Sequence, residues 1–129
     1  LDYASELGLI ISVHAGLEPG YRVFVHATPA MIGDVIQQVH PLKLILAHMG
    51  GFMRWDEVEE CLIGEDVWLD TAACFTKIPD EQFLRIVSEH GAARIRHGQD
   101  RVNSSDIFRD WIFHLKIRKI SFGKMQKNY

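Results

Sequence analysis

The sequence predicts an α/β fold made of four parallel β/α units. Three observations carry this. Four short apolar runs rich in β-branched residues recur, at residues 9–13, 42–47, 67–69 and 93–96, the last continuing toward Gly98. Each is followed by a segment of helical periodicity. The runs start at positions 9, 42, 67 and 93, so they are 33, 25 and 26 residues apart, close to what one strand, one helix and two loops require. Strict strand-helix alternation argues for parallel strands joined by right-handed crossovers. Three of the runs are nearly continuous in apolar residues, the pattern expected where helices cover both faces of a sheet. Arg96 and His97 interrupt the fourth.

The chain opens on Ala4-Ser5-Glu6-Leu7-Gly8, which reads as the last turn of a helix closed by glycine in the left-handed conformation. With no initiator methionine, it reads as starting inside an element. A long loop, 15–27, follows the first strand, and its Glu18-Pro19-Gly20 turn and aromatic Tyr21 and Phe24 suit a lid over a substrate as well as a plain surface loop. Thr28-Pro29 then supplies an N-cap and an N1 proline, and Met31, Val35 and Val39 form an apolar stripe at intervals of four. After the second strand, Trp55, Val58 and Leu62 fall at i, i+3 and i+7, with Asp56 and Glu57 placed where the helix dipole favours negative charge. Phe83, Ile86 and Val87 repeat the pattern between Pro79 and Gly91. Ser104 or Ser105 caps a last helix that buries Phe108, Ile112 and Leu115. The domain is thus placed at 1–115, with 116–129 as a basic tail or short helix.

At 129 residues, 47% hydrophobic and 24% charged, the chain has the composition of a domain with a real core rather than of a disordered segment. It has no apolar run of about 18 residues and no basic, cleavable leader, so the expectation is a cytoplasmic protein without a membrane partner. Cys61 and Cys74 lie far apart and outside any C-x-x-C pairing, which fits reduced structural thiols. Five of the 14 basic residues fall in the last 14 positions, leaving nine against all 17 acidic ones. So few scattered charges read as a solvated end, and no nucleic-acid partner is expected.

In parallel β/α sheets reactive groups gather beyond the carboxyl ends of the strands. Here the four ends carry His14, His48, Asp70 and Asp100. A single histidine at a strand end is commonly just a hydrogen-bonded structural residue, but four such ends in register are harder to dismiss. Neutral imidazole and carboxylate are the ligands of a catalytic zinc or similar divalent ion, which lowers its bound water's pKa to about 7. A histidine beside such an ion can move the proton or stabilise an oxyanion. Glycines next to His14, His48 and Asp100 allow close approach. His40, His90 and His114 fall at helix ends or faces and read as structural, with His40 and His90 suited to the helix dipole.

The stretches ISVHAG, HATPAMIGDVIQQVHPLKLILAHMGG, WDEVEECLIGEDVWLDTA and IPDEQFLRIVSEHGAARIRHGQD, in this order and spacing, resemble the second half of the amidohydrolase-related family, metal-dependent hydrolases and decarboxylases of TIM-barrel fold. The resemblance covers roughly residues 1–105. It implies that the four units are strands five to eight of a (β/α)8 barrel. It implies His14 as a metal ligand, His48 in the AHMGG motif as the catalytic or substrate-polarising histidine, and Asp100 as a metal ligand that helps deprotonate water. Asp70 in the DTA motif is implied to touch substrate or to brace its loop, and His26 in the long loop is placed near the substrate.

Two departures qualify this. The family's remaining ligands come from a His-x-His pair after the first strand, and no His-x-His occurs in this chain. Around Asp100 the family's small hydroxyl residue is replaced by Gln99. The expectation is therefore a fragment of a metal-dependent hydrolase acting on an amide, ester or lactone bond of a small molecule. Its site would be completed by a missing amino-terminal half or by pairing of two copies. The alternatives are a non-oxidative decarboxylase of an aromatic acid and a non-catalytic remnant or binding module.

Overall fold

The computed structural model describes residues 1–18, 25–40, 43–96 and 98. Helix α1 (Asp2–Glu6) ends at Leu7, and Gly8 follows at φ +67°, the left-handed closure expected there. Then come β1 (Ile11–Val13), α2 (Pro29–Val39), β2 (Leu44–Leu46), α3 (Trp55–Cys61), β3 (Trp68–Asp70), α4 (Asp80–His90) and β4 (Ile95–Arg96). Short 3₁₀ turns at His48–Gly50 and Ala92–Arg94 precede α3 and β4. No described helix is long and apolar enough to cross a membrane. The expected helix after residue 104, the tail 116–129 and the tip of the long loop lie outside the described residues.

The strands form one sheet in the order β1-β2-β3-β4, every pair parallel. Sequence neighbours are thus sheet neighbours throughout, and all four carboxyl ends emerge on one side. Ile11, Ser12 and Val13 pair with Leu44, Ile45 and Leu46, and the register continues through Leu46 to Leu69 and Leu69 to Ile95. The regular strands are shorter than the apolar runs that announce them.

Burial alternates along the strands instead of covering both faces. Leu44, Leu46, Leu69 and Ile95 are buried in one cluster with Ile32 and Ile36 of α2, Trp55 and Val58 of α3, and Phe83, Ile86 and Val87 of α4. The intervening Ile45, Trp68 and Asp70 are only half-buried and Arg96 is exposed, its guanidinium 4.3 Å from the Trp68 ring centre. The continuous apolar runs therefore do not mean two helical layers among the described residues: one face carries helices, and the other carries Ile45 and the Trp68–Arg96 stack.

Local signals behave as their chemistry requires. Thr28 Oγ1 accepts the Met31 amide at 3.1 Å, capping α2, and Pro29 occupies its first turn. The buried stripe of α2 is Pro29, Ile32 and Ile36, whereas Met31 is 54% exposed. The spacing of four was right and the phase was wrong by one, because both phases are apolar and only the sheet's position chooses between them. Helices α3 and α4 bury the expected Trp55, Val58 and Leu62, and Phe83, Ile86 and Val87. Both cysteines are free, and Cys74 donates its thiol proton to the Thr71 carbonyl at 3.1 Å.

His90 ends α4 but does not serve the helix dipole as a cation. It is buried, its Nε2 donates to the Val67 carbonyl at 2.9 Å, and its Nδ1 accepts the Gly64 amide at 3.3 Å. Both ring nitrogens are satisfied by a neutral imidazole, and burial pushes its pKa below the usual value.

Beyond the strand ends the pairing of β1 with β2 continues through their loops. The Ala47 amide donates to Val13 at 2.9 Å, Phe52 to Ala15 at 2.8 Å and Leu17 to Phe52 at 2.9 Å, while Gly16 donates to Ala27 at 2.9 Å. Gly16 has φ +93°, and a Cβ built there would collide with the backbone N and O of Phe52. Gly98 does the same for the other pair: its amide donates to Thr71 Oγ1 at 3.2 Å, and a Cβ would collide with Ala72.

Two outcomes follow from these contacts. Unfolded histidine takes up a proton near about pH 6.5, above the depressed value of folded His90, so the unfolded state binds more protons as pH falls through that window. The stability contributed by His90 is complete above about pH 6.5 and is lost below it. Thermal melts should show Tm declining on acidification, with a shallower decline in His90→Gln. Gly16→Ala should cost about 1–3 kcal/mol in urea denaturation, because the clash is with rigid backbone, and should weaken the NOEs between the loops at Ala15 and Phe52.

Candidate active site

His14 leaves β1 one residue after Val13, and His48 leaves β2 two residues after Leu46, so the Val13–Leu46 register delivers both imidazoles to the same corner. His14 is exposed and His48 half-buried. His48 has φ +58° and Met49 φ +55°, a left-handed pair that costs non-glycine residues roughly 1–2 kcal/mol each. The cost is offset by packing and hydrogen bonds. Met49 is fully buried, the Trp55 indole donates to the His48 carbonyl at 2.9 Å, and the His48 amide donates to Asp70 Oδ1 at 3.1 Å.

The rings meet edge to face, with centroids 4.8 Å apart and planes at 73°, and His48 Nε2 lies 3.0 Å from His14 Nδ1. Phe52 packs edgewise on His48 at 5.6 Å and on Trp55 at 6.1 Å. The protonation pattern follows from the partners. A carbonyl only accepts, so the 2.7 Å contact from His48 Nδ1 to Ala72 O requires a proton on Nδ1. In the neutral ring Nε2 then presents its lone pair toward His14. His14 Nε2 also faces a carbonyl, that of Leu17, at 3.3 Å. Both nitrogens of each ring thus have a partner within 3.3 Å.

The four sequence-predicted strand ends do not contribute alike. His14 and His48 are in contact, and Asp70 is joined to the His48 backbone rather than to either ring. Asp70 Oδ1 also accepts the Ala72 amide at 2.9 Å. Asp100 lies outside the described residues. His26 lines a different space, an apolar cavity of about 180 Å³ between β1, α2 and β2, with Val13, Met31 and Leu46 among its walls. Among the described residues no group of three or more His, Cys, Asp or Glu side chains converges as a metal site. Two imidazoles fall short of the three protein ligands of a catalytic zinc, so these residues do not by themselves fit the ion.

Sequence reasoning missed the Ala72 carbonyl, which fixes the His48 ring, and the Trp55 indole, which holds its peptide. A backbone acceptor leaves no mark in a sequence. Trp55 reads as a core residue of α3 and is one, and its polar edge has a second use that only the fold reveals.

The amidohydrolase family model matches residues 1–123. No curated protein and no solved structure matches the chain. The family match runs through all four strand ends, including the loops that bring His14 against His48 and lock His48 to Asp70 and Ala72. The chain belongs to the amidohydrolase family.

Proposed function

We propose that the chain forms strands five to eight of a (β/α)8 barrel and carries one side of the site of a cytoplasmic, metal-dependent hydrolase that cleaves an amide, ester or lactone bond in a small molecule. Family membership points to hydrolase or decarboxylase chemistry in general, and amidohydrolases generally use divalent metals. The contact between His14 and the tautomer-fixed His48 carries the finer reading. Two features support the barrel: the sequential parallel order, which a singly wound sheet requires, and the one-sided helical cover among the described residues, which leaves Ile45, Trp68 and Arg96 on the face a barrel would turn inward.

In this reading His14 and Asp100 would hold a divalent ion, zinc by ligand type, only together with further ligands that this sequence, which has no His-x-His pair, does not supply. When bound, such an ion makes hydroxide available near neutral pH. The chain's own contribution is His48. Its Nδ1 proton is committed to Ala72, so Nε2 is the atom that takes a proton or, once protonated, gives one to a developing oxyanion or leaving group. Asp70 and the Trp55 indole hold its backbone.

Metal analysis of the purified protein tests the first part. Stoichiometric zinc that is lost in both His14→Ala and Asp100→Ala supports the assignment, and metal content unchanged in both variants overturns it. In the assembled enzyme His48→Asn should lower kcat by roughly 10²–10⁴-fold while metal content stays constant. A screen that follows acid release and carbon dioxide release in parallel separates hydrolysis from decarboxylation of an aromatic acid. Neither product with any substrate class favours a non-catalytic binding module.

A further inference from the structure

Asp70 touches neither imidazole, yet three hydrogen bonds tie it to the ring of His48 in a closed circuit. Its Oδ1 accepts the His48 amide at 3.1 Å and the Ala72 amide at 2.9 Å, and the Ala72 carbonyl accepts the His48 Nδ1 proton at 2.7 Å. One carboxylate oxygen therefore pins two loops, from β2 and from β3, on either side of a single residue. Bonds from amides to a charged acceptor are roughly twice as strong as neutral ones. Both ends of the circuit need that grip: His48 sits at φ +58°, a conformation a non-glycine residue leaves unless held, and the Ala72 peptide must keep its carbonyl aimed at Nδ1.

We infer that Asp70 is a positioning residue that selects the His48 tautomer, by fixing the Ala72 carbonyl against Nδ1 and so leaving Nε2 to face the site. Without its carboxylate the His48 and Ala72 amides lose their shared acceptor, the Thr71–Ala72 peptide loses its anchor, and the Ala72 carbonyl on the other side of that residue is held less firmly against Nδ1. Of the two roles implied for Asp70, contact with substrate or bracing of its loop, this inference develops the second. This rests on reading His48 as the catalytic histidine, but the tautomer is measurable without any activity, so the two ideas fail separately.

The test is ¹⁵N-histidine NMR on the chain at about pH 8, above the ordinary imidazole range, with amide exchange and thermal melts alongside. Wild-type His48 should show the Nδ1–H tautomer with slowly exchanging amides at His48 and Ala72. Asp70→Ala should give a mixture of tautomers, fast exchange at both amides and a shifted Trp55 indole N–H resonance. Asp70→Asn, which keeps a neutral oxygen acceptor, should restore the Nδ1–H form while its weaker bonds speed amide exchange. In the assembled enzyme Asp70→Ala should lower kcat by about 10–100-fold, with Asp70→Asn recovering part of it. The inference is overturned by a wild-type His48 in the Nε2–H form, or by a folded Asp70→Ala that keeps the Nδ1–H form and its indole shift. Should Asp70→Ala fail to fold, unchanged His48 exchange in Asp70→Asn overturns it.

Discussion

The parallel pairing of β1 with β2 is the constraint on which the rest of the site depends. Parallel strands deliver all their carboxyl ends to one side of the sheet, and the register of Val13 on Leu46 makes His14 and His48 neighbours across 34 residues of sequence. A slip by one residue would turn Leu44 and Leu46 away from the helical face and carry both histidines out of reach of each other. The ladder that continues through Ala47, Phe52 and Leu17 guards against such a slip, because it extends the same pairing past the strands. Gly16 is required in that ladder because any side chain would occupy the space of the Phe52 backbone.

Placed there, His48 is costly to hold. Two successive left-handed residues oppose the intrinsic preference of the chain, and the offset comes from tertiary contacts: the burial of Met49, the Trp55 indole and the Asp70 carboxylate. His90 makes an instructive contrast. Its two ring nitrogens are also bonded, to Val67 and Gly64, but in the core, where both are taken up by backbone. The two residues differ in surroundings: His48 Nε2 faces a second imidazole, whereas both nitrogens of His90 face backbone.

The sheet itself is asymmetric in what it offers. Three helices bury Leu44, Leu46, Leu69 and Ile95, while the opposite face presents Ile45, Trp68 and Arg96. Arg96 stays exposed while its weakly hydrated guanidinium lies over the Trp68 ring face. The two polar positions that interrupt the fourth apolar run, Arg96 and His97, are thus understandable at Arg96, where the side chain belongs to the face away from the helices.

Much of this was legible in the sequence. The four strands and the helices that follow the first three, their order, the Thr28 cap, the closure at Gly8 and the placement of His14 and His48 at strand ends all rest on local chemistry: periodicity, caps, and glycine where φ is positive. What local chemistry does not contain is the relative position of elements. The phase of α2, Ile32 and Ile36 instead of Met31 and Val35, depended on where the sheet lies. The neutral state of His90 depended on the Gly64 and Val67 backbone arriving from other units. The orientation of the His48 ring depended on an Ala72 carbonyl that no residue pattern encodes. The sequence by itself determined which residues could do chemistry. Only the tertiary structure decided which atoms of them face the site, because hydrogen bonds to backbone groups distant in the chain set the tautomer and the burial of each ring.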